Sequence, residues 1–222
     1  MEMIPIIDSK TLGVIDFKER KEVKEYKLWH LSSLILPIQE KTGKILIQER
    51  PLGKTYEGKL DIFGGFVNKC STSIKLKNKF EDKILELLFL ETAIREANEE
   101  LKVLINGENK IINKANLILL KPFAGFIANN DVNREVSSVY CIIIPYDASI
   151  ITQDDVQGEV VNVKSSFINF EELISIYKIN SENFADGLIR VIENYIKNLK
   201  TKNQLDSILN EINIFKKNGK EN

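Results

Sequence analysis

One heptapeptide, Arg95-Glu96-Ala97-Asn98-Glu99-Glu100-Leu101, restricts the possible folds of this chain more than any other stretch. On a helix advancing about 100° per residue, Glu96, Glu99 and Glu100 share one arc. Leu90, Ala93, Ile94, Ala97 and Leu101 fall on a neighbouring arc that suits a core, and Glu91, Asn98 and Lys102 take the remaining, solvent side. Like charges four residues apart destabilise a helix by about 0.2–0.5 kcal/mol per pair. A divalent, oxygen-seeking cation reverses that sign. A glutamate-rich face in plain water is the other reading of the heptapeptide taken alone.

Upstream, an apolar stretch from Leu60 to Phe63 runs into Gly64-Gly65. With Arg95, Glu96, Ala97, Glu99, Glu100 and Val103, this resembles the box of the Nudix hydrolase family. That box runs glycine, five residues, glutamate, seven residues, then Arg-Glu-aliphatic-x-Glu-Glu-x-Gly-aliphatic. The metal-binding half is matched and the first half departs from it. Gly65 lies thirty positions before Arg95 where the family has fourteen, Leu87 stands at the place of the first glutamate, and Lys102 replaces the glycine. The likeness extends loosely over residues 20–197. Arg20 to His30, Gln48-Glu49-Arg50, Lys54, Gly58-Lys59-Leu60-Asp61, Asn133 to Val136, Glu159-Val160 and Phe184 to Ile196 resemble the branch that includes isopentenyl-diphosphate isomerase. The isomerase itself is disfavoured. It surrounds its metal with several histidines and uses a catalytic cysteine, whereas this chain has the single His30, beside Trp29 and read as a packed residue, and Phe66 after the glycine pair.

The resemblance implies an α/β fold, the Nudix-type α/β/α sandwich with a mixed β-sheet, and a Mg²⁺-dependent hydrolase, with Mn²⁺ as the alternative ion. Its implied metal ligands are Gly65, through the backbone carbonyl, Glu96, Glu99 and Glu100. Arg95 would orient the glutamates by pairing with Glu91 and Glu99. Glu99, Glu100 and a downstream loop glutamate, Glu159, are the candidate bases, and Arg50 and Lys54 the candidate phosphate contacts. The expected reaction is cleavage of a diphosphate linkage in a nucleoside diphosphate derivative or another small organic diphosphate. A non-catalytic Nudix-fold binding or regulatory protein is the alternative, motivated by the insertion, Leu87 and Lys102.

Size suits one domain with appendages. The expected division is an N-terminal arm with strands at 1–29, the Nudix domain at 30–200 with an insertion at about 68–88, and a C-terminal helix and tail at 201–222. A net charge of −1 recommends neither nucleic acid nor an acidic membrane as partner. Two cysteines are too few for a disulfide framework, Cys141 reading as buried packing and Cys70 as incidental. No N-terminal stretch has the form of a secretory signal and no apolar run approaches the length of a membrane span, so a cytoplasmic location is expected.

The pattern predicts a hairpin from Leu31–Ile38 and Lys44–Glu49 around a glycine-containing turn. Beyond the box it predicts strands in 116–127, 137–146 and 160–163. Helices are expected at 170–177, opened by an Asn169/Glu172 capping box, at 185–197, with Leu188, Val191, Ile192, Tyr195 and Ile196 on one side, and at 204–215. Residues 80–90 read as helical with no consistent apolar face. Leu85 and Phe89 project onto the arc of the glutamates, which calls for a break near Leu90, for burial on several sides, or for an exposed apolar run that supports a homodimer.

Overall fold

A computed structural model of the chain describes residues 2–68, 82–114, 117–119, 126–130, 133–156, 158–198 and 202–210. In chain order the elements are β1 (Met3–Ile7), β2 (Val14–Glu19), α1 (Arg20–Glu25), β3 (His30–Gln39), β4 (Ile45–Glu49), β5 (Leu60–Asp61), β6 (Phe63–Phe66) and α2 (Asp82–Glu100). They continue with β7 (Leu101–Ile105), β8 (Glu108–Lys110), β9 (Leu117–Leu119), β10 (Phe126–Asn129), β11 (Arg134–Ile144), β12 (Ser149–Val156), β13 (Glu159–Asn162), β14 (Ser165–Ile168), α3 (Phe170–Ile179) and α4 (Asp186–Lys197). Residues 202–210 are helical.

Among the described residues the strands form a ten-stranded mixed sheet and a four-stranded antiparallel one. β3 and β11 run parallel at the centre of the large sheet, from Glu135 opposite His30 to Ile144 opposite Gln39. Both are buried along nearly their whole length because both of their faces are covered, polar at their starts and apolar from Leu34 and Val139 on. Alternation along the strands sorts side chains between two cores. Leu36, Ile38, Ile45, Ile47, Val139 and Cys141 pack under α3, α4 and Leu205 and Ile208 of the last helical segment. Leu31, Ile35, Leu46, Val136, Tyr140 and Ile142 pack under α2 and β7. This is the expected α/β/α arrangement with a mixed sheet. The N-terminal strands extend that sheet, β1 lying between β3 and β2.

α2 runs unbroken from Asp82 to Glu100, and its sides explain the mixed pattern of its sequence. Leu88, Phe89, Thr92, Ala93, Glu96, Ala97 and Glu100 are all buried, so two adjoining arcs face protein. The break near Leu90 does not occur. Nor is the 85–90 run an exposed apolar patch, since Leu88 and Phe89 lie in the chain's own core and Leu85 and Leu90 pack against it. The homodimer loses that footing. Asn98 does not face water either. It donates to the Ile94 and Ile112 carbonyls and accepts the Ile112 N–H, which ties the segment after β8 to the helix. Most of the insertion, with Cys70, lies outside the described residues, as does the end of the predicted 204–215 helix.

Two smaller expectations change. Asn169 is the N-cap of α3, but its side chain makes no cap hydrogen bond. Ile196 is about half exposed because α4 has turned it away from the core that takes Leu188, Val191, Ile192 and Tyr195. Of the predicted strand at 116–127, β9 and the start of β10 are described, and 116 and 120–125 lie outside the described residues.

β6 carries the glycine pair antiparallel to β3, Ser33 opposite Gly65 and Leu34 opposite Gly64. Gly64 has φ of 138°, and a Cβ there would overlap the Ser33 carbonyl oxygen. Gly64→Ala is therefore expected to destabilise the fold by about 2–4 kcal/mol. Thermal denaturation should show a melting temperature about 4–16 °C lower; an unchanged melt would mean the strand is not held this close.

Candidate functional site

The site forms where β6, α2, β12 and α1 meet. β6 delivers Gly64-Gly65 to the C-terminal half of α2, so that the Gly64 N–H donates to Glu100 Oε2 at 2.9 Å. A Cβ on Gly65 would overlap the Glu96 carboxylate, so the bare backbone is what lets that side chain lie against the strand. Arg95 donates to Glu96 Oε1 at 2.6 Å, to Glu99 Oε2 at 2.9 Å and to the Phe66 carbonyl at 2.9 Å. It thus pairs with Glu99 as expected and with Glu96 in place of Glu91. Its buried Nε has no hydrogen-bond partner among the described residues. Leu87, at the position of the family's first glutamate, offers no acceptor.

Glu96 and Glu100 are buried, while Glu99 is exposed. Burial holds the Glu100 carboxyl well above the usual range, and the charges of Glu96 and Asp154 push it the same way against the Gly64 N–H and Lys54. Glu96 is raised too, by burial ahead of the opposing pull of Arg95. Two buried carboxylates close to each other, with too little positive charge between them, are the arrangement a cation relieves.

These groups line a cleft of about 780 Å³. It is lined by the carboxylates of Glu2, Glu96, Glu99, Glu100, Asp154 and Asp155 and by the cations of Arg20, Lys24, Arg50, Lys54 and Arg95. Arg50 comes directly after β4, with its Nε donating to the Thr55 carbonyl at 2.6 Å and its guanidinium on Asp61 at 3.0 Å. Lys54 reaches across to Asp154 at 2.9 Å. Arg20 and Lys24 are four apart on α1, so both face the cleft; Arg20 is paired with Glu2 at 3.0 Å. The Lys24 ammonium is pushed down to about 8 by burial and by Arg20, Lys54 and Arg50, although the residue keeps open surface that lets solvent screen the repulsion.

The structure thus brings together Gly65, Arg95, Glu96, Glu99, Glu100, Arg50 and Lys54. It does not bring Glu159 to them. That residue is exposed at the start of β13, opposite Val156, and is not among those lining the cleft. Asp154, on the adjacent β12, is the carboxylate that reaches the glutamates. β12 is held there because Gln153 Nε2 donates to the Glu99 carbonyl at 2.8 Å and because β7, its partner, starts directly after α2. The sequence reading missed Arg20, Lys24 and Asp154. A signal existed for the first two in their spacing on a helix opened by Glu19, whose N–H donates to Glu22 Oε2 at 3.2 Å.

Carboxylate and carbonyl oxygens are the donors Mg²⁺ prefers, and one or two carboxylates plus ligand oxygens complete its shell. Glu96, Glu99, Glu100 and the Gly65 backbone fit that chemistry. Among the described residues no group of three or more His, Cys, Asp or Glu side chains converges tightly enough to hold an ion as it stands, and Arg95 engages both Glu96 and Glu99.

A second pocket of about 250 Å³ adjoins the cleft, sharing Arg20, Lys24, Arg50 and Gly64 with it. Asp61 forms part of its wall and fastens it. This buried carboxylate accepts the Leu188 N–H at 3.1 Å in the first turn of α4, and burial raises it against the pull of Arg50. Deeper in, Glu135 is ion-paired with Arg190 and lies 3.4 Å from His30 Nε2. Burial opposes its charge, but Arg190 and His30 outweigh burial and hold Glu135 well below the usual carboxylate range.

No protein-family model matches the sequence, and no curated protein sequence matches it. The chain is similar in structure to DR0079 from Deinococcus radiodurans, with 17% identity, 86% of this chain and 98% of that one covered, and a TM-score of 0.57. It is also similar to a NUDIX hydrolase from Alicyclobacillus acidocaldarius, with 10% identity, 74% and 89% covered, and a TM-score of 0.50. Among the described residues no helix is long and apolar enough to cross a membrane. With its mixed sheet between helical layers, and the glycine pair set against a glutamate-bearing helix, the chain has the fold of the Nudix hydrolases.

Proposed function

We propose that the protein is a Mg²⁺-dependent hydrolase of small organic diphosphates, nucleoside diphosphate derivatives included. The observation that carries this reading is one cleft lined both by buried Glu96 and Glu100, whose carboxyls burial holds above the usual range even with Arg95 paired to Glu96, and by the basic side chains of Arg20, Lys24, Arg50 and Lys54. The glutamates suit a hard cation and the basic side chains suit phosphate oxygens; a cation-bound diphosphate suits both.

In this reading Glu96, Glu99, Glu100 and the Gly65 carbonyl hold the cation, and Mn²⁺ can take its place. When bound, the ion supplies neutralisation of the diphosphate and activation of water. Arg50, Lys54, Arg20 and Lys24 bind phosphate oxygens, while Arg95 keeps the glutamates in position. Glu100, buried at the cleft, takes a proton from the attacking water. Glu99, on the open side, is the second candidate base. Water oxygen bonds to one phosphorus, the bridging P–O bond breaks, and its electron pair leaves with the departing phosphate.

The test is a panel of nucleoside and non-nucleoside diphosphates incubated with Mg²⁺ and assayed for released phosphate and monophosphate ester. Turnover that disappears with chelation and in Glu100→Gln supports the reading. Diphosphate binding with no turnover would instead identify the non-catalytic binding protein.

A further inference from the structure

One ion pair spans the cleft. Lys54 Nζ, on the loop between β4 and β5, lies 2.9 Å from Asp154 Oδ1 on β12, 100 positions away in the chain. The two side chains are 17% and 11% exposed and both residues line the cleft, so water screens the pair less than it would a surface one. Among the described residues, every other hydrogen bond of residues 51–58 stays within the loop or goes to Arg50 and Lys59. The Gly53 N–H donates to Glu57 Oε2 and the Gly58 N–H to the Arg50 carbonyl, with positive φ at Gly53, Tyr56 and Gly58 turning the loop back on itself. Lys54 is thus the loop's one polar tie to β12 among the described residues. β12, in contrast, is fixed at several points, through its pairing with β7 and through Gln153 on the Glu99 carbonyl. Asp154 therefore stays in place, and Lys54 is the partner that can move. Both bear on Glu100, in opposite directions.

We propose that Asp154 is a positioning residue that holds the Lys54 ammonium as a counter-charge for the carboxylates in the ion-free chain and yields it to phosphate once a divalent cation is bound at Glu96, Glu99 and Glu100. The proposal rests on the cation and diphosphate reading above and adds an order of binding to it. At like distance a doubly charged ion attracts Asp154 more strongly than one ammonium does, and it repels that ammonium. Once unpaired, Lys54 and its loop are free to turn to the phosphate oxygens that Arg20, Lys24 and Arg50 bind in that reading. Cation and anion then favour each other's binding through a single side chain. A diphosphate arriving without its ion meets basic side chains short of one charge.

The experiment has two readouts on the full chain. The first is Mn²⁺ binding without phosphate, followed by loss of the free-ion paramagnetic resonance signal. Lys54→Gln should bind Mn²⁺ about 5- to 10-fold more tightly than wild type, at the low end of couplings between sites. In an Asp154→Asn background the same change should alter binding by less than about 2-fold, because the carboxylate through which Lys54 acts is gone. No gain, or a gain of equal size in both backgrounds, overturns the proposal, the second result being through-space repulsion alone. The other readout is hydrogen exchange of residues 51–58 by mass spectrometry. Mg²⁺ alone should speed exchange there by about 3-fold or more, as should Asp154→Asn without the ion, and methylene diphosphonate added with Mg²⁺ should reverse it. Loop exchange that Mg²⁺ leaves unchanged in wild type overturns the proposal even if no variant folds. Mn²⁺ binding by wild type keeps the cation site, and the hydrolase reading with it, whichever way the Lys54 result falls; no Mn²⁺ bound to wild type overturns both.

Discussion

Glu100→Gln is expected to lower diphosphate hydrolysis by about 10²–10⁴-fold while making the cation-free protein more stable. Both effects come from one carboxylate. Its removal takes away a proton acceptor and a cation ligand, which accounts for the rate. It also removes a buried charge repelled by Glu96 and Asp154, while the glutamine oxygen can still accept the Gly64 N–H. The melting temperature without Mg²⁺ should rise by about 2–4 °C for each kcal/mol relieved. Thermal melts with and without Mg²⁺ check it: wild type should gain stability from the ion and the variant should gain little. A variant less stable than wild type without metal, or equally active with it, would remove this residue from the site.

Arg190→Met is expected to destabilise the protein by about 3–5 kcal/mol, because it leaves Glu135 charged and buried without its main partner. The melting temperature should drop by about 6–20 °C. Adding Glu135→Leu should restore much of the loss, since replacing both members of a buried pair with apolar groups is often close to neutral. The same pair sets an acid limit. Glu135 has a folded pKa depressed below the ordinary 4.5, so its contribution is fully present above that value and is lost as pH falls below it toward the folded one. Urea denaturation between pH 3 and 6 should show a shallower acid decline in Glu135→Gln than in wild type. A decline of the same slope, or a cost below 1 kcal/mol for Arg190→Met, would show that the pair is not held as described.

How far the fold was readable depended on whether local pattern and tertiary environment agreed. The hairpin around Gly43, the run predicted as a strand at 137–146, most of which lies in β11, and α4 apart from Ile196 carry patterns that match their burial. α2 does not. Its first half puts Phe89 on the arc where its second half puts Glu96 and Glu100, and both are buried, one against apolar side chains and the other at the cleft. A period analysis sees a conflict there, and only the surroundings resolve it. The glutamates were legible because their spacing on one helix carries their chemistry, and the glycine pair through its resemblance to the Nudix box despite the longer separation. Asp154 was not, since a lone acidic pair in Ile150-Ile151-Thr152-Gln153-Asp154-Asp155 looks like any solvated strand until its pairing with β7 brings it near Glu100. Glu159 was singled out by family position, but the β12–β13 pairing leaves it facing solvent. Asp61 reads from sequence as part of the approach to the glycines; the structure adds its hold on the start of α4.

Direct measurement of Mn²⁺ binding to the metal-free full chain, by loss of the free-ion paramagnetic resonance signal, tests the central claim that the buried glutamates form a cation site. Wild type should bind Mn²⁺ in competition with Mg²⁺, and Glu96→Gln and Glu100→Gln should each weaken it by about 10-fold or more. No bound Mn²⁺ in wild type, or equal binding by folded forms of both variants, would contradict the account.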